Sequence, residues 1–249
     1  MKLKEYRICM PMTLEEFQIG QVYTIARSTF GQGIEILKSE PCEDPVHGKG
    51  HYTEKKIHLS ARLPSFIRNF TPSNFYAISK SWDYLSYTLT EYTTPLINKF
   101  SARIETRNEE NAGTTENVMN LSEKEIAQRQ VDLIDIATEK VSEAKYKEDE
   151  DPTKFQSSKT KRGPLSEGWR DNTSPMICSY KVLRVNYDVW MLQGKVEAHV
   201  ASQLRDFILL AHRQTFAWMD EWYGMTMEEV RAYEKEMKEK TNEKIRESN

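Results

Sequence analysis

The spacing of apolar residues along the chain predicts four helices. TLEEFQIGQVYTIA begins with Thr13 and Glu16 at capping-box spacing, and its apolar residues recur on one face of a helix. SEKEIAQRQ carries a second capping box and precedes the strand-like sequence VDLIDIA. A long helix is predicted over about 195–223, with Gly224 as its C-terminal cap, and a last helix begins at TMEEVRAYEKEMKEK.

Alternating residues predict β-strands through much of 1–110 and 176–190. Side chains switch faces with period 2 along a strand, so alternate residues of GHYTEKKIHL share one face. That face begins polar and ends aliphatic: His51, Thr53, Lys55, Ile57 and Leu59. A core face should be apolar throughout and a solvent face polar throughout, so the change of character needs an explanation.

The same change of character recurs on other predicted elements. Lys181 shares a face with aliphatic residues of SYKVLRVNYDVW, as Thr106 does in SARIET, while Gln21 lies on the apolar face of the first helix. These polar ends could converge at one end of a long apolar cavity that suits an amphiphile. Alternatively, each face simply leaves the core at its polar end. Lys55 and Lys181 favour the cavity, because an unpaired buried ammonium group is costly.

Composition narrows the class of protein. A chain of 249 residues with 38% hydrophobic residues can bury a sizeable core as one large or two small domains. The net charge of −3 argues against a protein that works mainly by binding nucleic acid. Cys9, Cys42 and Cys178 are widely spaced and suggest reduced thiols. With no signal-peptide or transmembrane pattern, we expect a soluble intracellular protein.

Motifs for catalysis are missing from the sequence. The chain has no GxSxG, P-loop or HExxH pattern. His199 and His212 lie on the long helix without metal-ligand spacing, so we interpret them as surface or packing residues. Nothing in the sequence requires an enzyme.

Several long blocks resemble the class I phosphatidylinositol transfer proteins, in order from Lys2 to about Glu243. The most specific blocks are LKEYRICMPMTLEEFQIGQVY, KGHYTEKKIHL, IETRNEENAGTTENV, DPTKFQSSKTKRGPL and HRQTFAWMDEWYGMTMEEVR. The resemblance implies an α+β, START-like helix-grip fold, in which a curved, mostly antiparallel sheet and two long helices enclose one phospholipid. It implies a single domain over 1–249, with an exposed regulatory-type loop at 145–170 and a charged C-terminal tail at 240–249.

The resemblance also implies a function. Members of this family carry phosphatidylinositol and phosphatidylcholine between membranes without chemistry. We therefore expect a cytoplasmic, monomeric carrier that touches membrane surfaces transiently and needs no cofactor besides its bound phospholipid. Two alternatives stay open: a lipid-sensing signalling module that presents phosphatidylinositol to lipid kinases without bulk transfer, and an enzyme built on the same scaffold.

Individual family positions can be matched to this chain. The resemblance implies that the inositol headgroup binds at Thr53, Lys55, Asp83 and Glu234. It implies that the region of the lipid phosphate binds at Gln21, Thr90, Thr106 and Lys181. These include the polar positions that the strand pattern identifies. On this hypothesis the strand face changes character because the ligand does, with the acyl chains beside Ile57 and Leu59.

The chain departs from the family pattern at functional positions. Asp83 stands where the family has Asn, which bears on headgroup preference, and we expect Asp83 to pair with Lys55. The paired tryptophans that dock the family on membranes are here Val189 and Trp190. A reactive Cys of many members is replaced by Thr88. The regulatory phosphorylation position corresponds to Ser157, in a basic segment.

Overall fold

The strands lie in one mixed sheet. The structure is a computed structural model that describes residues 2–29, 33–59, 63, 72, 74–95, 97 and 99–247. Within these residues the strands are β1 (Lys2–Met10), β2 (Ile34–Asp44), β3 (Gly48–His58), β4 (Tyr76–Asp83), β5 (Tyr87–Thr93), β6 (Phe100–Glu109), β7 (Gln130–Ile134) and β8 (Ile177–Tyr187).

The sheet is mostly antiparallel. Its strand order is β2-β3-β4-β5-β6-β8-β1-β7, and among the described strands only the pairing of the edge strand β7 with β1 is parallel. The fold is thus the α+β, START-like architecture, with strands over 2–109 and 177–187 as the alternation predicts. Because β8 pairs with both β1 and β6, residues far apart in sequence share one face of the sheet.

The two helices for which the sequence predicts a capping box begin where that pattern places them. The described helices are α1 (Leu14–Thr29), α2 (Glu123–Gln128), α3 (Gln193–Ala217), α4 (Met219–Trp222) and α5 (Met227–Glu247). Thr13 Oγ1 accepts from the backbone of Glu16 at 3.2 Å, and the Glu16 carboxylate accepts from the Thr13 backbone at 2.8 Å. Gly224 has φ +90°, the left-handed conformation expected of a helix C-terminal cap. The predicted long helix breaks at Trp218, which separates α3 from α4.

The helices pack on each other as well as on the sheet. Helix α1 contacts α3, α4 and α5. A side chain at Gly20 would come within 2.8 Å of the Trp222 ring, so the glycine permits close approach of α1 to this buried indole. Tyr23 of α1 stacks on Tyr233 of α5 with ring centroids 4.6 Å apart. These contacts hold α1 and α5 beside the sheet face that carries the polar positions.

The segment 145–170, which the resemblance implies is an exposed loop, is exposed at many of its residues but anchored by buried ones. Ser157 is fully buried, and Leu165 and Trp169 belong to the core. The segment is held to the helices by partners distant in sequence: Glu150 accepts from Gln214 at 2.9 Å, and Arg162 pairs with Glu16 at 2.7 Å. Buried apolar and paired polar groups outweigh the hydrophilic composition here.

The charged tail predicted at 240–249 is helical where the structure describes it. Helix α5 continues to Glu247, and Thr241 is buried. The Asn242 amide donates to the Ile36 carbonyl at 3.2 Å and accepts from the Ile36 backbone at 3.3 Å. This part of the tail is therefore anchored to β2 rather than projecting into solvent, while residues 248 and 249 lie outside the described residues.

Candidate functional site

The register of the sheet aligns polar positions of separate strands in one row. Each residue of the row is paired with the next across an antiparallel ladder, and directly opposite side chains lie about 5 Å apart on the same face. From β3 to β8 the row consists of His51, Asp83, Thr88, Thr106 and Lys181. A polar band thus crosses five neighbouring strands.

The same face becomes apolar two and four residues further along β6 and β8. Ile104 lies opposite Leu183, and Ala102 lies opposite Val185. All four are buried. The change of character predicted for single strands is therefore confirmed on these two strands, and the register extends it across the sheet.

One pocket is lined by every position that the family resemblance assigns to the inositol headgroup or to the lipid phosphate. It encloses about 160 Å³ of open space, more than the roughly 10–15 Å³ that a single water needs. Apolar residues of α1 and α3, including Phe17, Val22 and Ile208, form part of its lining. The assigned positions in its lining are Gln21, Thr53, Lys55, Asp83, Thr90, Thr106, Lys181 and Glu234. Ile57 and Leu59, expected beside the acyl chains, lie outside this lining.

Lys181 is a buried cation with sparse compensation. Its Nζ donates to Thr106 Oγ1 at 3.3 Å, and 6% of its surface is exposed. Burial lowers the pKa of Lys181 to about 8, although the charge of Asp83 acts in the opposite direction. The ammonium group therefore lies where a further negative charge would stabilise it.

Lys55 and Asp83 interact electrostatically but form no direct ion pair. The described residues include no ion pair between them, which corrects the predicted salt bridge. Lys55 lies opposite Ser79 and Asp83 opposite His51, so four residues, or roughly 13 Å along the strand, separate their positions. Burial lowers the pKa of Lys55, against the negative charges of Glu234 and, to a smaller degree, Asp83. Burial raises the pKa of Asp83.

Polar neighbours hold these groups in place. Ser81 Oγ donates to Asp83 Oδ2 at 3.1 Å and lies 3.1 Å from Thr90 Oγ1. Because the Ser81 hydroxyl has one proton, Thr90 is then the donor in the second contact. On α5, Arg231 donates to Glu234 at 2.8 Å. The Asp83 carboxylate is thus oriented by Ser81 of the same strand, and the Glu234 carboxylate by Arg231 of the same helix.

Sequence reasoning missed several residues of the pocket. Arg231 precedes Glu234 by three residues on α5, and Ser81 lies opposite Thr53 on β4, so helical spacing and strand register are the signals that could have found them. Asn108 follows Thr106 by two residues on the same strand face. His212, interpreted as a surface or packing residue, is buried and lines the pocket from α3.

The predicted docking residues follow the last strand. Trp190 is 88% exposed and Met191 is 76% exposed, in a turn between β8 and α3. Met191 has φ +65°, so the chain turns sharply there. Val189 is half-buried. The Trp190 ring therefore projects from the surface instead of packing beneath α3.

Ser157 lies inside a hydrogen-bonded turn. Its Oγ donates to Asp220 Oδ1 and accepts from the Thr160 backbone at 2.9 Å. The Asp220 carboxylate also accepts from the backbone and the hydroxyl of Ser158, both at 2.7 Å. Burial alone would raise the pKa of Asp220, but these hydrogen bonds lower it to about 2. The hydroxyl of Ser157 is thus enclosed in the folded chain.

The described ranges contain no group of three or more His, Cys, Asp or Glu side chains placed to hold a metal ion. Cys9, Cys42 and Cys178 are free thiols. None of the described helices combines the length and the apolar character needed to cross a bilayer.

Comparison with known proteins gives consistent matches. Residues 1–239 match the family described as phosphatidylinositol transfer protein. Over 248 residues the chain is 54% identical to a Drosophila melanogaster protein named cytoplasmic phosphatidylinositol transfer protein 1, covering 98% of this chain and 91% of that protein. The Homo sapiens protein of the same name is 49% identical over 250 residues, covering 98% of this chain and 75% of that protein. Phosphatidylinositol transfer protein 5 of Dictyostelium discoideum is 40% identical over 251 residues, covering 98% and 86%.

Proposed function

Because this chain belongs to the phosphatidylinositol transfer protein family, we propose that it binds one phosphatidylinositol molecule, with the headgroup in the described pocket, and exchanges the lipid between membranes. Phosphatidylcholine is the proposed second ligand. Proteins of this family transfer lipids and are not enzymes, so the proposed cycle consists of binding, carriage and release. Transfer needs a carrier because each acyl methylene contributes about 0.8 kcal/mol to holding a lipid in its bilayer.

The charge balance of the pocket carries this proposal. Its described lining contains three cations, Lys55, Lys181 and Arg231, but only two carboxylates, Asp83 and Glu234. Arg231 is paired with Glu234, and the carboxylates also act on Lys55. Lys181 is left with a neutral hydroxyl as its hydrogen-bond partner. One phosphodiester, with a single negative charge, would balance this excess and compensate the buried ammonium group.

The two proposed lipids share the phosphate and differ beyond it. Gln21, Thr90 and Thr106 would bind the phosphate region together with Lys181, and this interaction is available to both lipids. Thr53, Lys55, Asp83 and Glu234 would bind inositol, whose hydroxyls can both donate to the carboxylates and accept from the ammonium. Choline offers no such hydroxyls. Phosphatidylinositol is therefore the preferred ligand of the proposal.

Exchange requires contact with a bilayer, and we assign that contact to Val189 and Trp190. An exposed indole is suited to the membrane interface, where its apolar ring and polar N–H are both accommodated. Relatives with the word cytoplasmic in their names support a cytoplasmic carrier. Binding to the membrane would then be transient, through this turn.

Ser157 remains a proposed phosphorylation position with a structural requirement. Its hydroxyl is buried against Asp220, so a kinase could reach it only after the segment opens. A phosphate with nearly two negative charges beside the Asp220 carboxylate would then disfavour reclosure. Modification would therefore loosen the packing of 145–170 against α4.

Native mass spectrometry combined with vesicle transfer tests the proposed function. Protein incubated with mixed vesicles should carry one phospholipid per monomer, enriched in phosphatidylinositol, and should deliver it to acceptor vesicles that lack this lipid. Loading without delivery, but with stimulation of a lipid kinase, would favour the sensing module. Failure to load either proposed lipid would refute the assignment of the pocket, and a different phospholipid in the mass spectrum would identify the headgroup instead.

A further inference from the structure

Two buried acceptor atoms on residues of the pocket lining have no partner in the proposed headgroup assignment. His212 Nε2 and Asn108 Oδ1 are buried, and neither has a hydrogen-bond partner among the described residues. Both residues line the pocket, and each is 6% exposed. A buried polar atom without a partner is costly, so each of these two acceptors calls for a donor, and both belong to residues that line one pocket.

The state of the His212 ring follows from its contacts. Nδ1 lies 2.7 Å from the Ile208 carbonyl oxygen, which can only accept, so Nδ1 carries the ring proton. Burial and the positive charge of Lys181 lower the pKa of His212 to about 3, which keeps the ring neutral. Nε2 therefore presents a lone pair. Phe17 stacks on the ring with centroids 5.6 Å apart and limits its rotation.

Asn108, His212 and Lys181 line the same pocket from β6, α3 and β8. Asn108 follows Thr106, the hydrogen-bond partner of Lys181, by two residues on the same face of β6. His212 lines the pocket from α3, and the positive charge of Lys181 acts on its ring. The lining of this one pocket thus includes one ammonium donor and two residues with acceptor atoms that have no partner among the described residues.

This combination fits an anion with a hydroxyl beside it. A phosphate oxygen can accept from Lys181, but neither a phosphodiester nor an ester carbonyl can donate to His212 or Asn108. A hydroxyl can donate to them, and a quaternary ammonium cannot. Building on the proposed function, we propose that His212 Nε2 and Asn108 Oδ1 accept hydrogen bonds from a headgroup hydroxyl next to the phosphate bound by Lys181, so that the pocket selects polyol headgroups.

The test compares two lipids of equal charge. Phosphatidylinositol and phosphatidylmethanol both contain a phosphodiester with one negative charge, but phosphatidylmethanol has no headgroup hydroxyl. The full chain is loaded from vesicles containing both lipids in equal amounts, and the bound lipids are counted by native mass spectrometry. For His212→Phe we expect a roughly tenfold fall in the ratio of phosphatidylinositol to phosphatidylmethanol, equivalent to about 1.4 kcal/mol. His212→Gln should restore part of the ratio, because its amide oxygen can accept.

Two further variants provide a control on α3 and a second test on β6. His199→Phe makes the same change on α3 outside the pocket lining and should leave the ratio unchanged. Asn108→Leu tests the strand side if His212→Phe fails to fold, as judged by its thermal unfolding. An unchanged ratio in folded variants, or an equal fall of both lipids, would overturn the hydroxyl subsite. Failure of the wild type to load either lipid would instead refute the proposed function.

Discussion

Replacing Lys181 with methionine should stabilise the lipid-free protein and abolish phospholipid transfer. Burial lowers the pKa of Lys181 from 10.5 to about 8. Each pKa unit corresponds to about 1.4 kcal/mol, so keeping this ammonium charged in the folded chain costs about 3 kcal/mol. Methionine fills similar space without the charge, and replacing a buried charged group with an apolar one is often stabilising. Transfer should be lost because the counter-charge for the lipid phosphate is gone.

The contribution of Lys181 to the free energy of unfolding changes with pH in a defined direction. Below about pH 8 the folded and unfolded chains both hold the Lys181 proton, and the full cost is present. Between about pH 8 and 10.5 the unfolded chain keeps the proton while the folded chain releases it. The cost of the buried ammonium group therefore shrinks, and the stability of the wild type rises with pH over this range. The advantage of Lys181→Met should therefore be largest at pH 7 and should shrink above pH 8.

Urea unfolding of delipidated protein at pH 7 and pH 9 measures this difference, and a vesicle assay measures transfer. Lipid must be removed first, because bound ligand stabilises the wild type by mass action. Lys80→Met, at an exposed position of β4, is the control and should change neither stability nor transfer much. A clear loss of stability in Lys181→Met would show that the ammonium is part of the core structure. Transfer at the wild-type rate would contradict its assignment to the phosphate.

Three further predictions concern the headgroup and the docking turn. Lys55→Ala should abolish phosphatidylinositol transfer and spare phosphatidylcholine, whereas Lys56→Ala, on the opposite strand face, should spare both; equal loss of both lipids in folded Lys55→Ala would indicate a structural role. Asp83→Asn should raise the phosphatidylinositol fraction in competitive loading, because the carboxylate repels the net negative charge of phosphatidylinositol, whereas phosphatidylcholine has no net charge; a fall in that fraction would mean that the carboxylate favours inositol. Trp190→Ala should lower vesicle binding in a flotation assay, and with it transfer, without changing the bound lipid; loss of the lipid or of the fold would argue against a docking role.

Much of the local structure follows from the sequence because its causes are local. The capping box of Thr13 and Glu16 spans four residues, and the left-handed conformation of Gly224 depends on the helix end beside it. Strand alternation likewise places Lys181 on the face of Leu183 without knowledge of any partner strand. Each of these predictions is confirmed in the fold.

Prediction fails where a residue's environment is supplied by a distant segment. The resemblance implies an exposed loop at 145–170, but Ser157 within it is buried against Asp220, 63 residues away in sequence. Asn242 lies in a charged helix, yet its amide is fixed by the backbone of Ile36. Neither contact leaves a mark in the local pattern of polar and apolar residues.

The candidate site shows the same division. The sequence alone determined which strand positions combine a polar group with an apolar continuation, because the alternation of side chains is a property of each strand. Only the tertiary structure decided that His51, Asp83, Thr88, Thr106 and Lys181 form one row, since the pairing of β8 with β6 is a long-range contact. It also decided the state of the His212 ring, because a neutral ring whose Nε2 has no partner among the described residues requires burial and a carbonyl partner for Nδ1, and helical spacing specifies neither.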